Sequence, residues 1–394
     1  MLLGIVALTW PKNMRKVVKN NDGKLLKFRF ICLQISGLLM LLCAALVSSH
    51  YSEPFLTPVL KNVKFYILTG GEGRFKASND LVPYTNYPFL DRPVINPAHV
   101  AQQVLFDSEN YLLKRHFPAF YSYGYNPNKG INKHKIINVA DWIIDTYPME
   151  KIRDKSVIRL AYEFDYPEYD LQNPWYSSLA QAYSIFALLA AYELTEEQKY
   201  ISSAEMLGAT LTLPIDAGGT LLRFNNNSVW HEEYADSTKS SHPLVLNGNN
   251  YAIDSLFWLS VVSGQDIWRG VLVDSLHGLD ENIVRYQTIF WSRYDLIRNF
   301  AHWGYHDLHI SQLEKITKIY APQFGTELST TESVLDSFRV YQYIPFGFTE
   351  RLLMQGNNLL IAILLINFFG FLGVAVLVAI YKTKRLHSSI QKDL

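Results

Sequence analysis

Two stretches of the chain carry almost no polar side chains. From Phe30 to Ser52 no charged residue occurs over 23 positions, and Leu359 to Tyr381 holds no charge and one amide, Asn367. Each is long enough to cross about 30 Å of hydrocarbon as a helix. The pattern predicts transmembrane helices over 30–50 and 358–381. For the first, a cleaved signal peptide is the alternative, because Cys43 to Ser49 offers small residues. Met1 to Trp10 is apolar but too short to span; it reads as an interfacial piece or as sequence upstream of a start at Met14.

Between the spans the periodicity changes once. Over 51–155 short aromatic and β-branched runs, such as Val63 to Leu68 before Gly70-Gly71, read as strands, with a helix from Pro97 to Phe117. Over 156–345 the signal is helical. Leu179, Ala182, Phe186 and Leu189 recur at i, i+3 and i+4 spacing and give one apolar face. Thr195 with Gln198 three residues later fits a capping box that opens the next helix, with Gly208 near its end. Asn250 to Gly264 and Ile310 to Tyr320 repeat the theme. The sequence Gly218 to Phe224, followed by an Asn triplet, predicts a β-hairpin. Consecutive helices on short turns form hairpins, and three or more can close into a ring around a cleft.

Charge sharpens this layout. The chain has 36 Lys+Arg and 36 Asp+Glu, but residues 1–29 hold seven basic residues against Asp22, and 382–394 hold four against Asp393. Basic flanks place both tails, 1–29 and 382–394, in the cytoplasm and the intervening domain on the far side. That domain is left with nine more acidic than basic residues. The balance argues against nucleic acid as a partner. Both cysteines, Cys32 and Cys43, lie in the first span, so the exported domain has no disulfide.

Four constellations are richer in polar aromatics than a core requires: Pro174 to Gln181, Trp230 to Tyr234, Tyr294-Asp295-Leu296, and His302 to His309. Taken singly, each also fits an ordinary helix entry or a solvated turn. The adjacent Glu232 and Glu233 lie between aromatics, a setting that raises a carboxyl pKa and suits proton transfer. His302, His306 and His309 resemble a zinc site, yet no Glu follows the first His and Gly304 interrupts the helix. A serine-nucleophile elbow, a phosphate loop and a dinucleotide fingerprint are all absent.

The run Tyr162 to Tyr169 leading into Pro174 to Gln181, then Glu232-Glu233-Tyr234, Val245 to Gly248 with Tyr251, Tyr294-Asp295-Leu296, and Tyr305-His306 with His309 to Leu313, resembles the C-terminal domain of the D-glucuronyl C5-epimerase family. Ile95 to Gln102 is similar to the family's segment joining its β-rich part to its helices. The resemblance implies a β-rich N-terminal part followed by an (α/α) barrel, which together with the two apolar spans gives an α+β, membrane-anchored protein with one transmembrane helix at each end. It implies that Glu233, Tyr234, Tyr294 and Tyr305 are catalytic, and that Trp175, Gln181, Asn247, His306 and Arg298 meet substrate. Here Ile297 follows Tyr294-Asp295-Leu296, where the family commonly has Arg-His, which puts the carboxylate-binding role of Arg298 in doubt. The calcium that some members hold finds no acidic loop with a ligand pattern here.

The implied reaction inverts C5 of D-glucuronate to L-iduronate in a heparosan-like acidic glycan. It needs two proton-transfer groups on opposite ring faces and donors for the enediolate-like intermediate. Glu233 and Tyr305 are the expected pair, either of them base or acid, each shifted toward neutrality, and Tyr234 and Tyr294 the expected donors. No redox cofactor is required. The same groups suit a polyuronate lyase, and a non-catalytic glycan-binding protein is a third reading. A bacterial cell membrane is the favoured location, with the Golgi lumen as alternative; the family implies a homodimer. An acidic domain that binds a polyanion is expected to gather Arg and Lys at its cleft.

Overall fold

Long apolar sequence builds the first element, α1 (Asp22–Leu68), which carries Pro54 and Pro58 within it. The computed structural model describes residues 22–68, 75–76, 82–123, 130–225 and 227–390. Met1 to Trp10, most of the basic tail 1–29, Gly70-Gly71, Asn226 of the hairpin turn and residues 391–394 lie outside them. The chain divides into two units, Met1–Pro58 with Pro345–Leu394, and Val59–Ile344.

The second unit begins with a three-stranded antiparallel sheet of two-residue strands, β1 (Phe75–Lys76), β2 (Tyr84–Thr85) and β3 (Val94–Ile95). Next come α2 (Pro97–His116), α3 (Lys133–Thr146) and a hairpin of β4 (Met149–Ile152) and β5 (Lys155–Ile158). Asn96 caps α2, its side chain accepting from the His99 N–H, with Pro97 in the first turn. After an irregular, tyrosine-rich stretch follow α4 (Ser178–Thr195), α5 (Gln198–Leu211), β6 (Leu221–Asn225), β7 (Ser228–His231), α6 (Leu246–Ser263) and α7 (Asp266–Asn282). The unit closes with α8 (Trp303–Lys315), a π turn at Ile316–Tyr320, the short α9 (Ala321–Gln323) and α10 (Ser329–Tyr341).

Helix α4 is the centre of this unit. It packs against α2, α3, α5 and α6, and its small residues Ala180, Ala182, Ala187, Ala190 and Ala191 are fully buried. The single apolar face read from the sequence is therefore too narrow: alanine allows close approach on every side, as in a helix buried all round. Phe186, also fully buried, contributes about 2 kcal/mol through that burial. Gly208 lies inside α5, where a Cβ would stand 2.6 Å from Leu259 and 3.0 Å from Trp268.

Four further expectations are corrected. Residues 51–155 are not β-rich among the described residues: they hold the end of α1, all of α2 and α3, and only short strands. Val63 to Leu68 is helical, because a short apolar run carries no period that separates helix from strand. Thr195 ends α4 and does not open α5; its hydroxyl donates to the Ala191 carbonyl at 2.8 Å, and Glu197 caps α5 without a side-chain bond. Gly304 does not break α8, since it sits in the first turn with His302 as the cap.

The first unit combines α1 with α11 (Phe346–Gln355) and α12 (Asn358–Ile390). Phe30–Leu68 and Asn358–Lys382 are long and apolar enough to cross a bilayer. Glu53 and Arg351, 0% and 1% exposed, form a two-pronged ion pair at 2.5 and 2.6 Å. The amide of Asn367 joins α12 to α1, accepting from Ser48 at 2.7 Å and donating to Ser52 at 2.9 Å. That lone amide in an apolar span thus has a structural use, as interhelical hydrogen bonds do in hydrocarbon.

Candidate active site

The β6–β7 hairpin delivers the central carboxylate. Its strands pair with Leu222 opposite Trp230, and the chain leaves β7 at Glu232. The Ser178 N–H donates to the Glu232 carbonyl at 3.1 Å, and Tyr176 and Ala235 exchange backbone bonds at 2.9 Å. These bonds fix residues 232–235 against the start of α4.

The two adjacent carboxylates then diverge. Glu232 accepts the N–H groups of Tyr234 at 3.0 Å and Leu244 at 2.8 Å, so it holds the loop. Glu233 lines a cavity of about 460 Å³. Its oxygens accept from the Tyr294 hydroxyl at 3.3 Å and from Asn247 Nδ2 at 3.2 Å. Burial, reinforced by the Glu232 charge, pushes the Glu233 carboxyl up to about 8, against the opposing hydrogen bonds from Tyr234, Tyr294 and Asn247. Burial likewise raises Glu232 to about 7.

The folded chain keeps the Glu233 proton in a range where an unfolded glutamate has lost it, so stability is full below about pH 4.5 and is lost as pH rises through 8. Glu233→Gln is therefore expected to melt higher than the wild type at pH 9 and together with it at pH 5. A thermal melt showing the same difference at both values contradicts the assignment.

Helix α6 provides the other side of the carboxyl. Asn247 and Gly248 lie in its first turn, and a Cβ on Gly248 would stand 2.6 Å from the Glu233 Cβ and 2.5 Å from Oε2. Only glycine leaves room there. Gly248→Ala is expected to displace Glu233 and lower the melting temperature, measured by a thermal melt. A variant that melts with the wild type would show that the close approach is not needed.

The remaining wall is aromatic. Trp175, Tyr162, Tyr166, Tyr183, Tyr234, Tyr251 and Tyr305 line the cavity. Trp175 stacks on Tyr162 with ring centres 3.9 Å apart, and Tyr234 is parallel to Tyr166 at 5.7 Å. Burial, with Glu233 nearby, holds the hydroxyls of Tyr234 and Tyr294 well above their ordinary value. The expected shift toward neutrality thus holds for Glu233, and Tyr234 and Tyr294, the expected donors, stay protonated.

Of the residues singled out from sequence, Glu233, Tyr234, Tyr305, Trp175 and Asn247 meet at the cavity. Tyr294 stands one layer behind: its hydroxyl touches Glu233 and lies 3.4 Å from that of Tyr234, and its ring centre is 4.6 Å from that of Tyr305. Gln181 is fully buried, lines no part of the cavity, and its amide finds no partner. His306 is also buried. Its Nε2 donates to the Phe338 carbonyl at 3.0 Å, its Nδ1 meets Ser292 at 2.7 Å, and its ring stacks on Trp291. Arg298 is exposed, its guanidinium donating to the Glu168 carbonyl.

Tyr87, Asn96, His99, Gln102, Tyr183 and His302 line the cavity without having been assigned to it. His99 and Gln102 were recoverable, since they lie one turn apart on a helix whose cap, Asn96, is itself in the wall. Tyr87 carried no local signal. The expected gathering of Arg and Lys is not found, as neither lines the cavity among the described residues. Glu233 is neutral below about pH 8, so the wall is phenolic rather than negative. Among the described residues no cluster of three or more His, Cys, Asp or Glu is placed to hold a metal, and no calcium ligands can be named.

Residues 153–329 match the family described as D-glucuronyl C5-epimerase C-terminus. The D-glucuronyl C5-epimerase of Caenorhabditis elegans is 25% identical over 209 residues, 48% of this chain and 32% of that protein. An uncharacterized protein of Methanocaldococcus jannaschii, MJ1128, is 27% identical over 158 residues, 39% of this chain and 49% of that one. The chain thus spans about half the length of one relative and a third of the other. The matched segment contains the β6–β7 hairpin, α6 and the Tyr294 loop, with Tyr305 at the start of α8. Over residues 153–329 the chain is similar to the D-glucuronyl C5-epimerase C-terminal family.

Proposed function

We propose that the protein is a polysaccharide uronate C5-epimerase that converts D-glucuronate to L-iduronate within a heparosan-like glycan. The observation that carries this reading is the buried Glu233 carboxyl, raised to about 8 and hydrogen-bonded by Tyr294 and Asn247, in a cavity whose wall includes Tyr305. The C5 proton lies alpha to the uronate carboxylate, so its removal gives an enediolate-like intermediate. One of Glu233 and Tyr305 takes that proton, and the other returns one to the opposite face. Tyr234, hydrogen-bonding the uronate, and Tyr294, through Glu233, stabilise the developing charge. No bond to oxygen breaks and the oxidation state of C5 is unchanged.

In the same reading the helices form an (α/α) barrel. The spans within Phe30–Leu68 and Asn358–Lys382 anchor the chain, both basic tails are cytoplasmic, and the catalytic unit faces away from the cytoplasm, as a homodimer. Incubation of the full chain with glucuronate polymers, sulfated and unsulfated, over pH 6–9 tests the activity. Iduronate should form, with a limb in the rate profile near pH 8 from Glu233. An unsaturated uronate product would show that the C4–O bond breaks instead, as in a lyase. Binding with no product would leave a glycan-binding protein.

A further inference from the structure

Glu233 is held by the first turn of α6, through Asn247 and Gly248, and Tyr305 belongs to the first turn of α8. Below the cavity these two helices are joined by buried polar contacts at each successive turn. Gln312 Nε2 donates to the Asn247 carbonyl and Asn250 Nδ2 donates to Gln312 Oε1, both at 3.3 Å. One turn further, Lys315 Nζ stands 2.9 Å from Asp254 Oδ2 and also pairs with Glu109 of α2. The Tyr320 hydroxyl donates to the other oxygen of Asp254. Asn250, Asp254, Gln312, Lys315 and Glu109 are each no more than 5% exposed.

The spacing makes these contacts a ladder. Asn247, Asn250 and Asp254 recur at i, i+3 and i+7 on α6, and Tyr305, Gln312 and Lys315 at i, i+7 and i+10 on α8, so each set lies on one stripe. Tyr305 is about 10 Å along its helix from Gln312. Apolar side chains would pack α6 against α8 but would tolerate sliding; paired polar groups do not, which is why buried polar residues serve to fix helix register. Sliding would change the separation of Glu233 and Tyr305.

We propose that the Asn250–Gln312 and Asp254–Lys315 contacts are a register lock between α6 and α8, making Gln312 and Lys315 positioning residues for proton transfer at the cavity. The proposal rests on the epimerase reading, in which inversion requires both groups in reach of C5, whereas exchange with retained configuration requires only one.

The test uses the full chain with a glucuronate polymer in deuterated water. It reads C5 deuterium in retained glucuronate against deuterium in new iduronate. The double variant Asn250→Leu/Gln312→Leu removes both partners of one rung and leaves no unpaired amide between them, so it keeps packing. Inversion is expected to fall by about 10- to 100-fold while exchange with retention persists, and Lys315→Arg is expected to keep the wild-type ratio. A merely structural role would lower both signals together. If the double variant keeps the wild-type ratio, or loses both signals in parallel with folded protein, the lock is overturned. If the wild type neither exchanges nor inverts, the epimerase reading fails first and the lock with it. Lys315→Met adds a second reading where it folds, and the double variant decides where it does not.

Discussion

Glu233→Gln is expected to slow the proposed epimerisation by about 10²- to 10⁴-fold, the contribution of a positioned acid or base. Gln keeps the shape of the side chain and can still meet the Tyr294 hydroxyl and the Asn247 amide, which lie 3.3 and 3.2 Å from the carboxylate oxygens. What it loses is the ability to take or give a proton at a pKa near 8. Glu232→Gln should act differently. That side chain accepts two backbone N–H groups and holds the loop, so its change lowers stability more than turnover. Tyr305→Phe removes the second group of the proposed proton-transfer pair and should slow inversion by a similar factor. A Tyr305→Phe enzyme with full epimerisation would end the assignment of the pair. Initial rates of iduronate formation, with a thermal melt on each variant, separate these outcomes.

The second large effect is on stability. Lys315→Met leaves Glu109 and Asp254 buried together without the ammonium that pairs with both. Removing one member of a buried ionic set costs about 3–5 kcal/mol. For a unit of this size that lowers the melting temperature by roughly 10 °C. Burial raises the Glu109 pKa even with Lys315 present, so the loss should be smaller at acid pH, where Glu109 takes up a proton. A melting curve unchanged at neutral pH would show that the cluster does not hold α2, α6 and α8 together.

Local chemistry explains what could be read from the sequence. The β6–β7 hairpin followed from its glycines and Asn triplet, α6 ended at Gly264, and the pairing of acid with aromatics at Glu233-Tyr234 marked the cavity wall. Side-chain direction was less accessible. His306 follows Tyr305 by one residue, a turn of about 100° around α8, and points into the core. Gln181 faces away from the stripe on which Leu179 and Tyr183 reach the cavity. Lys315 and Glu109 are 206 residues apart in the chain, so no spacing pattern could pair them. The strand expected at Val63 to Leu68 failed because a short apolar run carries no period that separates strand from helix.

The proposed function places proton transfer at C5 in the Glu233 cavity. The most direct measurement incubates the full chain, in membranes, with an unsulfated glucuronate polymer in deuterated water and follows C5 by NMR. New iduronate carrying deuterium at C5, formed by the wild type and nearly lost in Glu233→Gln, is the predicted result. Polymer recovered with its C5 hydrogen intact and no iduronate would contradict the account.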